Sequence, residues 1–67
     1  MPDYRFTDPV RQTNFVEFGL SIGQVCEHLK AWNFQITSIA LKANRLTITV
    51  NNTIPAGELP HMGLQAG

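Results

Sequence analysis

The spacing of apolar residues along this chain changes from a helical period to a twofold one at Phe34. Before it, Ile22, Val25, Cys26, Leu29 and Trp32 recur at helical intervals. At about 100° per residue they make one stripe, with Gln24, Glu27, Lys30 and Ala31 opposite. Ser21 followed by Gln24 has the form of a capping box, and Leu20 with Val25 that of a hydrophobic staple. Together they predict a helix from about Ile22 to Trp32 with Ser21 as its cap. Asn33 tolerates the left-handed conformation that ends helices, and Phe34 is placed to fold back on Leu29.

After Phe34 the period is two. Ile36–Lys42 and Arg45–Asn51 predict a hairpin turning at Ala43-Asn44. A two-residue turn pairs Leu41 with Leu46, Ile39 with Ile48 and Thr37 with Val50, which collects the large apolar residues on one face. That face is expected to lie buried against Val25, Leu29 and Trp32. Ala40, Thr47, Ser38 and Thr49 fall on the other. Lys42 then opposes Arg45, and Ala43 is a poor residue for a turn that needs positive φ. A rival reading makes Gln35–Asn44 a second helix and the pair a helix-turn-helix. The β-branched Ile36, Thr37 and Ile39 weigh against it.

Upstream, the alternation over Arg11–Phe18 predicts a first strand, with Val16 and Phe18 on one face, Phe15 and Glu17 on the other, broken by Gly19. Tyr4 and Phe6, ahead of a turn at Asp8-Pro9, are expected over the edge of the core. From Asn52 onward Pro55, Gly57, Pro60, Gly63 and Gly67 argue against a regular element. Ile54, Leu59, Met62 and Leu64 nevertheless make the segment too apolar for a solvating tail. The expected architecture is α+β: a βαββ unit over residues 1–51 with one amphipathic helix on a three-stranded antiparallel or mixed sheet, half of a ferredoxin-like fold. Residues 52–67 follow as a Pro/Gly-rich arm or disordered tail.

Composition narrows the function classes. At 67 residues, a single core supplies only about 3–5 kcal/mol, and small domains are usually reinforced by disulfides, a metal or a second subunit. The one cysteine, Cys26, excludes an internal disulfide and lies on the apolar stripe. Cys26 and His28 point to different sides of a helix, and His61 sits in the tail, so no metal site is predicted. A second subunit is left. Formal net charge is zero, which provides no field to gather nucleic acid or anionic membrane. Lys30, Lys42 and Arg45 lie in an acid-free stretch between His28 and Gly57, and are the candidate patch for an anion or an acidic partner surface. No apolar run reaches transmembrane length, the N-terminus does not read as a signal peptide, and a cytoplasmic setting is expected. Glu17, Glu27 and Glu58 are scattered and no phosphate-cradling glycine loop is present, so no catalytic residue and no cofactor are predicted.

The segment Ser21–Val50 resembles the first half of an ACT-type regulatory domain. Gly23 stands where a glycine opens that family's helix. Asn33-Phe34-Gln35-Ile36-Thr37-Ser38 matches its bend into a strand, and Arg45-Leu46-Thr47-Ile48-Thr49-Val50 the strand that follows. The chain departs from the family in lacking the second helix and fourth strand, and in having Leu20, Ser21 and Ile22 beside the glycine. The resemblance implies amino-acid binding at the loop that maps to Gly19–Gly23, with Gly19, Ser21 and Gly23 as ligand-binding candidates.

The functional expectation is a non-catalytic protein-interaction module, a binding or inhibitory accessory protein of the kind common in bacteriophages and mobile elements. It would act as a homodimer with a further, unidentified protein partner. The alternatives are an ACT-like small-ligand sensor and a nucleic-acid-binding regulator, the latter disfavoured by the zero charge. In a ferredoxin-like sheet that lacks its fourth strand, the first strand presents an open edge. Phe15, Val16 and Phe18 on that strand, with Ile54 and Leu59 of the arm, are therefore the candidate oligomer interface.

Overall fold

Phe18, Ile22, Val25 and Leu29 are spaced four, three and four residues apart, a helical rhythm that runs straight through Gly19 and Gly23. In the computed structural model, which describes residues 1–67, these side chains line the inner face of one long helix, α1 (Phe15–Ala31). The predicted strand over Arg11–Phe18 does not form. Arg11 is extended, Gln12–Asn14 make a 3₁₀ turn, and Phe15–Phe18 are the first turn of α1. Burying Phe18 among the other stripe residues outweighs the local alternation, which four residues satisfy almost as well. Ser21 is accordingly not a cap but an exposed residue inside the helix. The polar start is made seven residues earlier: the Asn14 side chain accepts from the Arg11 amide at 2.8 Å and donates to the Pro9 carbonyl at 3.3 Å.

The C-terminal end of α1 follows expectation. Asn33 has φ 65, its N–H donates to the Lys30 carbonyl at 3.0 Å, and the Phe34 N–H donates to Leu29 at 2.9 Å. This is a Schellman closure. It turns the chain into β2 (Ile36–Lys42) and, through Ala43-Asn44, into β3 (Arg45–Val50). Both turn residues have positive φ, 50 and 64, as a two-residue type I′ hairpin requires. Leu41–Leu46, Ile39–Ile48 and Lys42–Arg45 pair as predicted.

The predicted Thr37–Val50 pair is replaced by a bulge. Ile36 opposes Val50 and Ser38 opposes Thr49, leaving Thr37 as the extra residue, its hydroxyl on the Thr49 carbonyl at 3.1 Å. The reason is readable in the side chains. Ile36 and Ile39 are three apart, so strict alternation would send one of them to the wrong face; one added residue lets Ile36 pack on the core.

Two further strands complete the sheet. β1 (Asp3–Phe6) pairs antiparallel with β3, Tyr4 opposite Ile48, and on its other side with β4 (Leu64–Ala66), Phe6 opposite Leu64. The order β2-β3-β1-β4, all antiparallel, is that of a ferredoxin-like sheet, with the second helix reduced to 3₁₀ turns at Ala56–Glu58 and Pro60–Met62. The expected count of three strands is thus corrected to four. Tyr4 and Phe6 do not skirt the core but stand at its centre. The arm is bound along its length: the Ile54 N–H donates to the buried Tyr4 hydroxyl at 2.9 Å, the Thr7 N–H to Gly63 at 2.9 Å, and the Gly67 N–H to Asp3 at 3.1 Å.

One face of the sheet meets α1. Its core is Tyr4, Phe6, Phe18, Val25, Leu29, Ile48, Val50, Ile54 and Leu64, with Phe6 and Phe18 in edge-to-face contact at 5.5 Å. The helix does not reach across the whole sheet. Ile39 and Leu41, expected in the core, stand on the helix side of β2 but outside its cover, and Trp32, also expected against that face, is 40% exposed. No helix is long and apolar enough to cross a membrane.

Candidate functional site

Three surfaces carry chemistry. The first is apolar. Val16 and Leu20, four residues apart, share the outer face of α1, and Phe15 flanks them. Ile39 and Leu41 are a second exposed apolar pair, on the helix side of β2. Their fractional exposures are 68% for Phe15, 73% for Val16, 65% for Leu20, 52% for Ile39 and 59% for Leu41, the reverse of what burial-driven folding selects. Of the residues predicted for an interface, Phe15 and Val16 are therefore free. Phe18 and Ile54 are not: both are core residues, and Leu59 packs against the core. The predicted open edge is also misplaced. Phe15–Phe18 are helical, and β1, the actual first strand, is paired on both sides. The strands that end the sheet are β2, seven residues long, and β4, three residues long.

The second surface is a cleft of about 440 Å³ between α1 and the C-terminal arm. Phe6, Phe18, Val25 and Met62 are its apolar lining, and Asp8, Ser21, Gln24, His28, Glu58 and His61 its polar one. Ser21 and His28 are seven residues apart on one helix, about 10.5 Å along its axis, so that pair makes no nucleophile and base. His28 instead lies against the Trp32 ring at 4.7 Å. No three His, Cys, Asp or Glu side chains are grouped to hold a metal ion. Gly19 and Gly23, with Ser21 the candidates for a ligand loop, lie with it inside continuous helix, and their amides fall within the helical ladder rather than a loop.

The third surface is the sheet face turned away from α1. Residues opposite one another on it include Lys42 with Arg45, Arg5 with Thr47 and Asp3 with Thr49. Lys42 and Arg45 are therefore together, as the sequence suggested, and Arg5 joins them on the same face. Lys30 does not. It sits at the far end of β2 from Lys42, a separation of roughly 20 Å for seven strand residues. The Arg45 guanidinium is engaged with the Thr7 carbonyl at 2.7 Å, and Thr49 donates to the Asp3 carboxylate at 2.6 Å.

Sequence reasoning missed Leu20, Ile39, Leu41 and Arg5. For Leu20 a signal existed, since extending the helix back to Phe15 puts it beside Val16 on the face opposite Phe18. Arg5 was legible as the outward residue between Tyr4 and Phe6. Comparison with protein-family models finds no match, and comparisons with curated proteins and with solved structures find none either.

Proposed function

We propose that the chain is a non-catalytic protein-interaction module that binds through the apolar surface made by the outer face of α1 and by β2. One observation carries this reading: five large apolar side chains of α1 and β2 are more than half exposed in a chain that buries only nine residues. Single exposed leucines are ordinary, but this many exposed large apolar side chains on two elements of so small a domain mark a site of association. Leaving it in water forfeits roughly 1.5–3 kcal/mol for each such side chain relative to burial, and a protein partner recovers part of that. The polar cleft and the open sheet face offer no comparable driving force.

Site-specific photo-crosslinking tests the reading. A benzophenone amino acid at Leu20 or Leu41, illuminated in the cells the chain comes from, is expected to yield covalent protein adducts. The same probe at Arg5, on the opposite face, is the control. No adducts from either apolar position, or adducts only from Arg5, would overturn it.

A further inference from the structure

The apolar surface includes an edge, and the edge selects its partner. We propose that β2 pairs antiparallel with β2 of a second copy across a twofold axis, joining two four-stranded sheets into one of eight; this rests on the interaction surface proposed above.

A two-residue hairpin closes on a hydrogen-bonded pair, here Lys42 and Arg45, and bonded and non-bonded pairs then alternate. Ala40 with Thr47 and Ser38 with Thr49 are the next bonded pairs. Ile39 and Leu41 occupy the non-bonded positions opposite Ile48 and Leu46, so their own N–H and C=O groups point away from β3, off the open edge. The same two residues carry the uncovered apolar side chains on the helix side. A docking strand must therefore offer free backbone groups at alternate residues and apolar side chains on that one face.

β2 of another copy offers both. With the axis at Ala40, Ile39 of each chain lies opposite Leu41 of the other, and each pair exchanges two backbone bonds. Four apolar side chains then form a continuous row between the two helices. The flank of α1 that borders this row follows from the opposite flank, whose Ser21, Gln24 and His28 face the arm; the β2 side is Phe15, Gly19 and Cys26. Phe15 is the exposed bulk beside the row.

Charge permits the arrangement. Lys42 falls opposite Ser38 of the other copy, so no like charges meet, and a formal net charge of zero leaves no long-range repulsion. The bulge at Thr37 and Lys42 bound the open stretch and leave Ser38–Leu41 between them unguarded. Proline and inward-pointing charge are both absent from Ser38–Leu41, whereas the opposite edge, β4, is only three residues long. A standard interface of about 800 Å² per partner would take roughly a sixth of the 4588 Å² surface.

Sedimentation velocity on wild type and three variants, over about a thousandfold concentration range, tests the pairing. Wild type is expected to dimerise. Ile39→Pro removes an N–H that the β2–β3 ladder does not use, so the variant is expected to keep its far-UV circular dichroism and raise the dissociation constant at least about 100-fold. Leu41→Lys leaves the backbone intact and should do the same, so it decides the matter if the proline variant does not fold. Val16→Asp with Leu20→Asp, on the outer helix face, should remain dimeric. A monomeric wild type, or a dimer that survives Ile39→Pro or Leu41→Lys, would overturn the inference. Crosslinks from Leu20 to a different protein alongside a monomeric wild type would remove the pairing while leaving the interaction surface standing.

Discussion

Ala43 holds φ 50, a left-handed conformation that a Cβ disfavours by about 1–2 kcal/mol. The hairpin keeps it because the turn is set from both sides, by the Leu41–Leu46 register and by the Val10 N–H, which donates to the Asn44 carbonyl at 2.6 Å. Asparagine tolerates this region better than alanine does. Ala43→Asn is therefore expected to stabilise the chain by about 0.5–1 kcal/mol. For a domain of this size that is a rise of several degrees in Tm, measurable by thermal melt followed by circular dichroism. An unchanged or lower Tm would mean that the strain is relieved elsewhere. Thr37 shows the opposite economy at the same scale: the residue left over by the bulge still satisfies its hydroxyl on the neighbouring strand.

Among the elements, α1 carries an unusual feature for its length. Gly19 and Gly23 both lie in its interior, and a Cβ added at either meets no other atom within 4 Å. Neither position needs glycine for packing within one chain. Gly23→Ala should then stabilise by roughly 0.5–1 kcal/mol through helix propensity alone. Urea denaturation reads this out, and a destabilised variant would show that the position is committed to a contact outside the fold. These same glycines explain why the helix was half legible in the sequence. Its C-terminal end and the hairpin register rest on neighbouring residues and on strict alternation, so both could be read. Its N-terminal half could not, because Phe15, Val16 and Phe18 fit either period, and two glycines argue locally against continuing. Only the long-range rhythm from Phe18 to Leu29 settles the matter. β4 has no local signal at all: three residues beside a glycine become a strand because β1 is there to receive them. The exposure of Ile39 and Leu41 was equally unreadable, since it depends on how far one helix reaches across four strands.

For the molecule as a whole, the decisive joint is between the first strand and the last sixteen residues. The Tyr4 hydroxyl accepts from the buried Ile54 amide, and Tyr4→Phe strands that amide at a cost of about 1–3 kcal/mol. The contact joins residues fifty apart in sequence, and such long loops close late. Its loss should appear mainly as faster unfolding, with the folding rate little changed. Stopped-flow kinetics against denaturant would show this, and a slowed folding limb would place the joint in the folding nucleus instead. The order of strands then has a consequence for how the chain comes into being. The segment synthesised first is the one finished last, because Tyr4 must wait for Ala66 before its second side is covered. Until then the growing chain is a three-stranded sheet with β1 bare on one flank and β2 bare on the other. During that interval neighbouring nascent chains can capture one another at either edge, and the arrival of the arm replaces the bare β1 flank with an edge only three residues long.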